Sequence, residues 1–161
     1  MALLIGTAPM IVLGAVNNAW APMVFRSGVT SRASVLTAST RLVSAVTLVM
    51  MTGFVAVVGP LTSLLGGPDF ASVTFAAEAA TPALGAAFMV VYLANIHVVF
   101  LSGRTGPMGL TTPAVTALSI VTVWLTGEII GPSVALYAAG IPIFYALQAG
   151  VSFALRSRTG V

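Results

Sequence analysis

The chain has no cysteine, no lysine, one histidine and three acidic residues in 161 positions. Without cysteine it cannot form disulfides, bind iron–sulfur clusters through its own thiolates or build a thiolate zinc site. One histidine, His97, cannot supply both axial ligands of a bis-histidine haem. The acids Asp69, Glu78 and Glu128 stand far from His97 and from one another, so no metal-ligand spacing occurs. The seven methionines are scattered, and adjacent Met50 and Met51 point to different faces of a helix, which argues against a copper path. There is no GxSxG turn for a serine nucleophile, and the glycine-rich stretch SGRTGPMG, residues 102–109, lacks the lysine and spacing of a phosphate-cradling loop. No cofactor is implied, and enzymatic chemistry is the weaker class. Six arginines give a net charge of +3, but they form no basic run interleaved with aromatics, which disfavours nucleic acid as a partner.

Apolar residues are what the chain does have. Hydrophobic residues make up 58% and charged residues 6%, with a mean hydropathy of +1.10, whereas soluble domains carry about 25% charged residues. So much apolar surface cannot be hidden inside a domain of this length, and lipid is the expected solvent. The fold class expected is an all-α, polytopic membrane helix bundle forming a single domain over residues 1–161. Five spans are expected at about 2–24, 36–60, 80–102, 112–130 and 133–155. The third, ATPALGAAFMVVYLANIHVVFLS, carries His97 and Asn95; at about 1.5 Å per residue its 23 residues reach about 34 Å, enough to cross a hydrocarbon core.

Punctuation sets the remaining boundaries. The first span holds Pro9 and Gly14, tolerated in membranes where neighbours satisfy loosened backbone groups. It lacks a basic leader region and is read as a retained span, not a signal peptide. RSGVTSRAS, residues 26–34, is a polar linker. The stretch beyond Gly59-Pro60, with Asp69 and Glu78, reads as an extramembrane loop with a short interfacial turn. Thr81-Pro82 and Thr112-Pro113 read as helix openings, a hydroxyl before a proline at the first helical position. Gly131-Pro132 turns the chain directly into the fifth span.

With the N-terminus outside, all six arginines (Arg26, Arg32, Arg41, Arg104, Arg156 and Arg158) fall on the cytoplasmic side and all three acids toward the outside, as the positive-inside rule requires. This predicts N-out, C-in. At that orientation Asn17, Asn18, Thr37, Thr40, Arg41, Ser44, Thr47, Asn95, His97, Thr112, Thr116, Ser119 and Gln148 occupy one cytoplasmic-side layer. At about 100° per residue, Thr112, Thr116, Ser119, Thr122 and Thr126 share one face of the fourth span, and Thr37, Thr40, Arg41, Ser44 and Thr47 one face of the second. His97 shares a face with Ala83, Ala87, Val90 and Ala94, a helix-contact face. Asn95 lies with Leu84, Phe88 and Val99, a face expected toward lipid or another subunit.

Each feature has an ordinary alternative. Membrane hydroxyls commonly bond back to the preceding turn, Arg41 can snorkel to the interface, Glu128 can be an interfacial carboxylate, and His97 can bond to headgroups near its helix end. The intramembrane ionisable group nevertheless makes a site at this layer the working expectation. The expected ligand-binding residues are Asn18, Arg41, Ser44, His97, Thr116 and Gln148, with no catalytic and no metal residues. The expected function is a membrane transport protein or transporter subunit of the cell membrane, with a cytoplasm-facing polar pocket for a small neutral or anionic solute. The alternative is a non-catalytic accessory subunit of a larger respiratory or transport complex. The expected partners are the lipid bilayer and either copies of this chain in a homo-oligomer or the chains of such a complex.

Overall fold

The computed structural model describes residues 1–28, 30–103 and 105–158. Among these, all regular structure is helical: α1 (Ala2–Gly6), α2 (Ala8–Arg26), α3 (Arg32–Gly66), a 3-10 turn (Pro68–Phe70), α4 (Val73–Leu101), α5 (Met108–Ile130) and α6 (Val134–Ser157). Five segments are long and apolar enough to cross a membrane, α1 and α2 counting together as one. This is the pattern of a multi-pass membrane protein.

The helices run further than punctuation predicted. α3 passes through Gly59-Pro60 and stops at Gly67, whose φ of 82° only glycine adopts readily. Its 35 residues reach about 52 Å. α4 begins eight residues before Thr81-Pro82, at Val73, capped by Ser72, whose Oγ accepts from the Phe75 backbone N–H at 3.1 Å and satisfies one open donor of the first turn. Glu78 is therefore helical, and Pro82 sits buried inside α4. Pro113 is likewise interior to α5, which is led in by Pro107. The first span breaks at Thr7, just ahead of Pro9, because a proline cannot return a hydrogen bond to the carbonyl four residues earlier.

Short connections make successive spans alternate in direction, so the first span, α4 and α6 run the same way. Their packing follows that alignment. Early residues meet early ones (Gly6 with Ala79 and Pro82, Gly85 with Ile141) and late meet late (Trp20 with His97, Asn95 with Arg156). α4 is the hub: 56% of its apolar window is buried, against 17–28% for the other spans. Its largest interface is with α6, and it also touches α1, α2 and α3, whereas α5 packs chiefly on α6. Small buried residues permit this closeness, Ala79, Ala83, Gly85 and Ala86 on α4 and Ala138 and Ala149 on α6. A Cβ on Gly85 would lie 3.0 Å from Ile141 Cγ2.

Two apolar clusters fill the bundle. One joins Leu13, Trp20, Val24, Val43, Val90, Leu93, Ile96 and Val99. The other joins Ala2, Ile5, Phe54, Val58, Ala79 and Ala83 toward the opposite end. Large side chains such as Leu48, Val49, Leu110, Ile120, Trp124, Ile129 and Phe153 are exposed on the perimeter, as suits a lipid-facing surface.

Candidate functional site: the arginine end of the bundle

The alternating directions gather Arg26 at the end of α2, Arg32 at the start of α3, Arg41 two and a half turns on, and Arg156 and Arg158 at the end of α6. Asp69, Glu78 and Glu128 lie at the other end, in the 3-10 turn, the second turn of α4 and the last turn of α5. Arg104 lies outside the described residues. Charge is therefore segregated along the helix axes.

Just inside the arginine end, α4 is enclosed on all sides. From Leu93 to Val99 seven consecutive residues are buried, including Asn95 and His97. His97 stands edge-on to Trp20, with ring centroids 4.6 Å apart and planes at 87°, and to Phe25 at 5.7 Å and 86°. Such T-shaped contacts set a ring edge against a π-face and fix orientation. Trp20 is in turn held by its Nε1–H, which donates to Ser39 Oγ at 2.9 Å, while Ser39 Oγ donates to the Val35 carbonyl at 2.6 Å.

Asn95 corrects the expectation that its face meets lipid or another subunit. It is buried, and its Oδ1 accepts from Arg156 Nη1 of α6 at 3.1 Å. The physical reason is that the open side of α4, along Leu84, Ala87, Phe88 and Val91, is closed from Leu93 to Val99. Nearer the arginine end, α6 covers that side.

The hydroxyl stripes have mostly local partners. Thr116, Ser119, Thr122 and Thr126 donate to the carbonyls of Thr112, Val115, Leu118 and Thr122, each at 2.8 Å. On α3 the buried row is Ser39, Val43, Thr47, Phe54, Val58 and Thr62, so of the expected polar stripe only Thr47 faces inward. Thr37, Arg41 and Ser44 are turned outward and exposed, which spares an arginine the cost of dehydration inside the bundle.

The six expected ligand-binding residues thus occupy several environments. His97 and Gln148 are buried in the interior. Asn18 is exposed on α2. Arg41 lines a groove at the arginine end. Ser44 lines a lateral cavity of about 350 Å³ with Leu48, Met51, Leu84 and Ala87. Thr116 lines a larger lateral cleft of about 690 Å³ between α5 and α6, walled by Ile120, Trp124, Tyr137, Phe144 and Tyr145. Sequence reasoning missed Trp20, Phe25, Ser39 and the groove arginines Arg32 and Arg156. The signal for the last two was their place at span ends joined by short connections.

Five buried side-chain atoms in this half of the bundle lack a hydrogen-bond partner among the described residues; one is Arg32 Nε at the end itself, and the four further inside are Asn17 Oδ1, Asn95 Nδ2, His97 Nδ1 and Gln148 Oε1. These four come from the first span, α4 and α6, the three that run in parallel. Counted along the helix axis they lie about 6–14 Å inside the arginine end. The four inner atoms comprise donors and acceptors and belong to uncharged amide and imidazole groups. No group of three or more His, Cys, Asp or Glu side chains is placed to hold a metal among the described residues.

No family model matches the chain, and no curated protein or solved structure is similar to it.

Proposed function

We propose that the chain is a membrane transport protein or transporter subunit of the cell membrane, oriented N-out and C-in. Its polar interior at the arginine end would receive a small neutral or anionic solute. The observation that carries this reading is the set of unpartnered buried atoms on Asn17, Asn95, His97 and Gln148. An unmet polar atom costs about 1–3 kcal/mol when buried, and the bilayer core offers no water to relieve it. Packing alone would favour apolar side chains at these positions. A solute that accepts from Asn95 Nδ2, donates to Asn17 Oδ1 or Gln148 Oε1 and pairs with His97 Nδ1 as donor or acceptor according to its tautomer recovers that cost on binding. The arginines at the mouth raise the local concentration of anions.

The test is stopped-flow swelling of proteoliposomes challenged with glycerol, urea, formate and nitrate. Wild-type protein is expected to raise permeability to at least one of these above empty liposomes. His97→Leu and Gln148→Leu should lower that permeability at least tenfold while the protein stays monodisperse. Swelling equal to that of empty liposomes for all four solutes would refute the reading.

The accessory-subunit reading draws on a different observation. α5 packs chiefly on α6 and exposes Leu110, Leu118, Ile120, Trp124, Ile129 and Ile130, a face that another membrane chain could cover. Recovery of stoichiometric larger partners after gentle extraction would favour it. A lone homo-oligomer would count against it.

A further inference from the structure

A groove runs along the arginine end where the start of α3 meets the ends of α4 and α6. Its two connected parts measure about 370 and 280 Å³ and share Leu36, Thr37 and Arg156 as walls. The first part adds Arg32, Val98, Leu101 and Ser102, the second Thr40 and Arg41. Three guanidinium groups and three hydroxyls thus border one trough. Every acidic side chain of the protein lies at the opposite end. Arg156 is steadied by its bond to Asn95 Oδ1, and the buried Nε of Arg32 has no partner among the described residues.

From this geometry we infer that the groove binds a phosphate oxyanion, carried by the headgroup of an anionic phospholipid or by a soluble phosphate compound. Guanidinium forks match phosphate oxygens in pairs, and threonine and serine hydroxyls add neutral donors. Basic pockets between membrane helices at the interface are suited to anionic headgroups. The trough also has the apolar walls Leu36, Val98 and Leu101, which suits the first carbons of an acyl chain attached to that headgroup. The inference stands apart from the transport reading, since it uses the outer groove and not the interior atoms.

The experiment is native mass spectrometry of the purified full chain, titrated with phosphatidylglycerol, with phosphatidylcholine and, separately, with inorganic phosphate and glycerol 3-phosphate. Near an anionic surface each arginine contributes about a fivefold gain in affinity. The double substitution Arg32→Gln/Arg41→Gln should therefore weaken binding about 25-fold. Arg26→Gln, at the same end but outside the groove, should change it less than twofold. Arg41→Gln alone, on an exposed side chain, should give about a fivefold loss and serves if the double variant fails to fold. Groove-dependent binding of phosphatidylglycerol assigns the phosphate to a lipid. Groove-dependent binding of the soluble phosphates, or their displacement of the lipid, assigns it to a soluble compound. Equal retention of phosphatidylglycerol and phosphatidylcholine with no phosphate binding would overturn the inference, as would equal losses in Arg26→Gln and the groove variants.

Discussion

Replacing Ser39 by alanine removes the acceptor that holds Trp20, and through Trp20 the ring standing against His97. Ser39 Oγ accepts from the Trp20 indole N–H at 2.9 Å between two buried side chains. Its own proton goes to the Val35 carbonyl. That carbonyl also receives the backbone N–H four residues on, so the back-bond adds little. The loss therefore falls on the indole, an N–H left in an apolar interior. A buried donor without a partner costs about 1–3 kcal/mol, whereas hydrogen bonds between membrane helices average about 0.6 kcal/mol. With no water at hand, Ser39→Ala is expected to destabilise by about 1–2 kcal/mol on these scales. The assay is equilibrium unfolding in dodecylmaltoside–SDS mixed micelles, with the folded fraction read by pulse proteolysis. Repeating it in a Trp20→Phe background closes a double-mutant cycle. Phenylalanine has no N–H to strand, so Ser39→Ala should then cost under about 0.5 kcal/mol, leaving a coupling of about 1 kcal/mol. Equal costs in the two backgrounds would refute the reasoning, because the serine would then act through packing alone.

Two further outcomes follow from the packing and the topology. Gly6→Ala should destabilise by about 1–3 kcal/mol, because a Cβ there would collide with the Ala79 carbonyl oxygen and lie 2.9 Å from Pro82 Cδ and Cγ; Gly14→Ala, whose Cβ meets nothing within 4 Å, should be neutral or stabilising in the same assay. Cysteines introduced at exposed Ser72 and Ser157 report direction cleanly, since the chain has no cysteine of its own. An impermeant maleimide on intact cells should label Ser72→Cys and spare Ser157→Cys, and the reverse pattern would overturn the N-out, C-in proposal.

Span number and helical class were legible because an apolar run of twenty or more residues is a strong, local signal. Span ends were less so. Thr81-Pro82 resembles a helix opening, yet Pro82 lies buried within α4, where a neighbouring helix substitutes for the constraint that ends soluble helices. The small-residue face correctly placed His97 inside. The same angular argument failed for Asn95, since it assumes one open side and α4 has none at that depth. Ser39 escaped notice because the Thr37, Thr40 and Arg41 stripe drew the polar face of α3 about a quarter of a turn away from the buried row. Which face a membrane helix buries is settled by its neighbours, and hydrophobicity says little when both faces are apolar.

The pairing of α4 with α6 bears on the order in which the molecule is completed. Two spans that run the same way cannot be joined by a tight turn, so α5 is the return stroke between them, peripheral and largely bathed in lipid. Asn95 and its partner Arg156 are 61 residues apart, and contacts so distant along the chain close late. During sequential insertion α4 crosses the membrane with one side of Asn95 uncovered, and it stays that way until α6 arrives. The hub of the bundle is closed by α6, and a chain halted after α5 would leave the Asn95 amide uncovered.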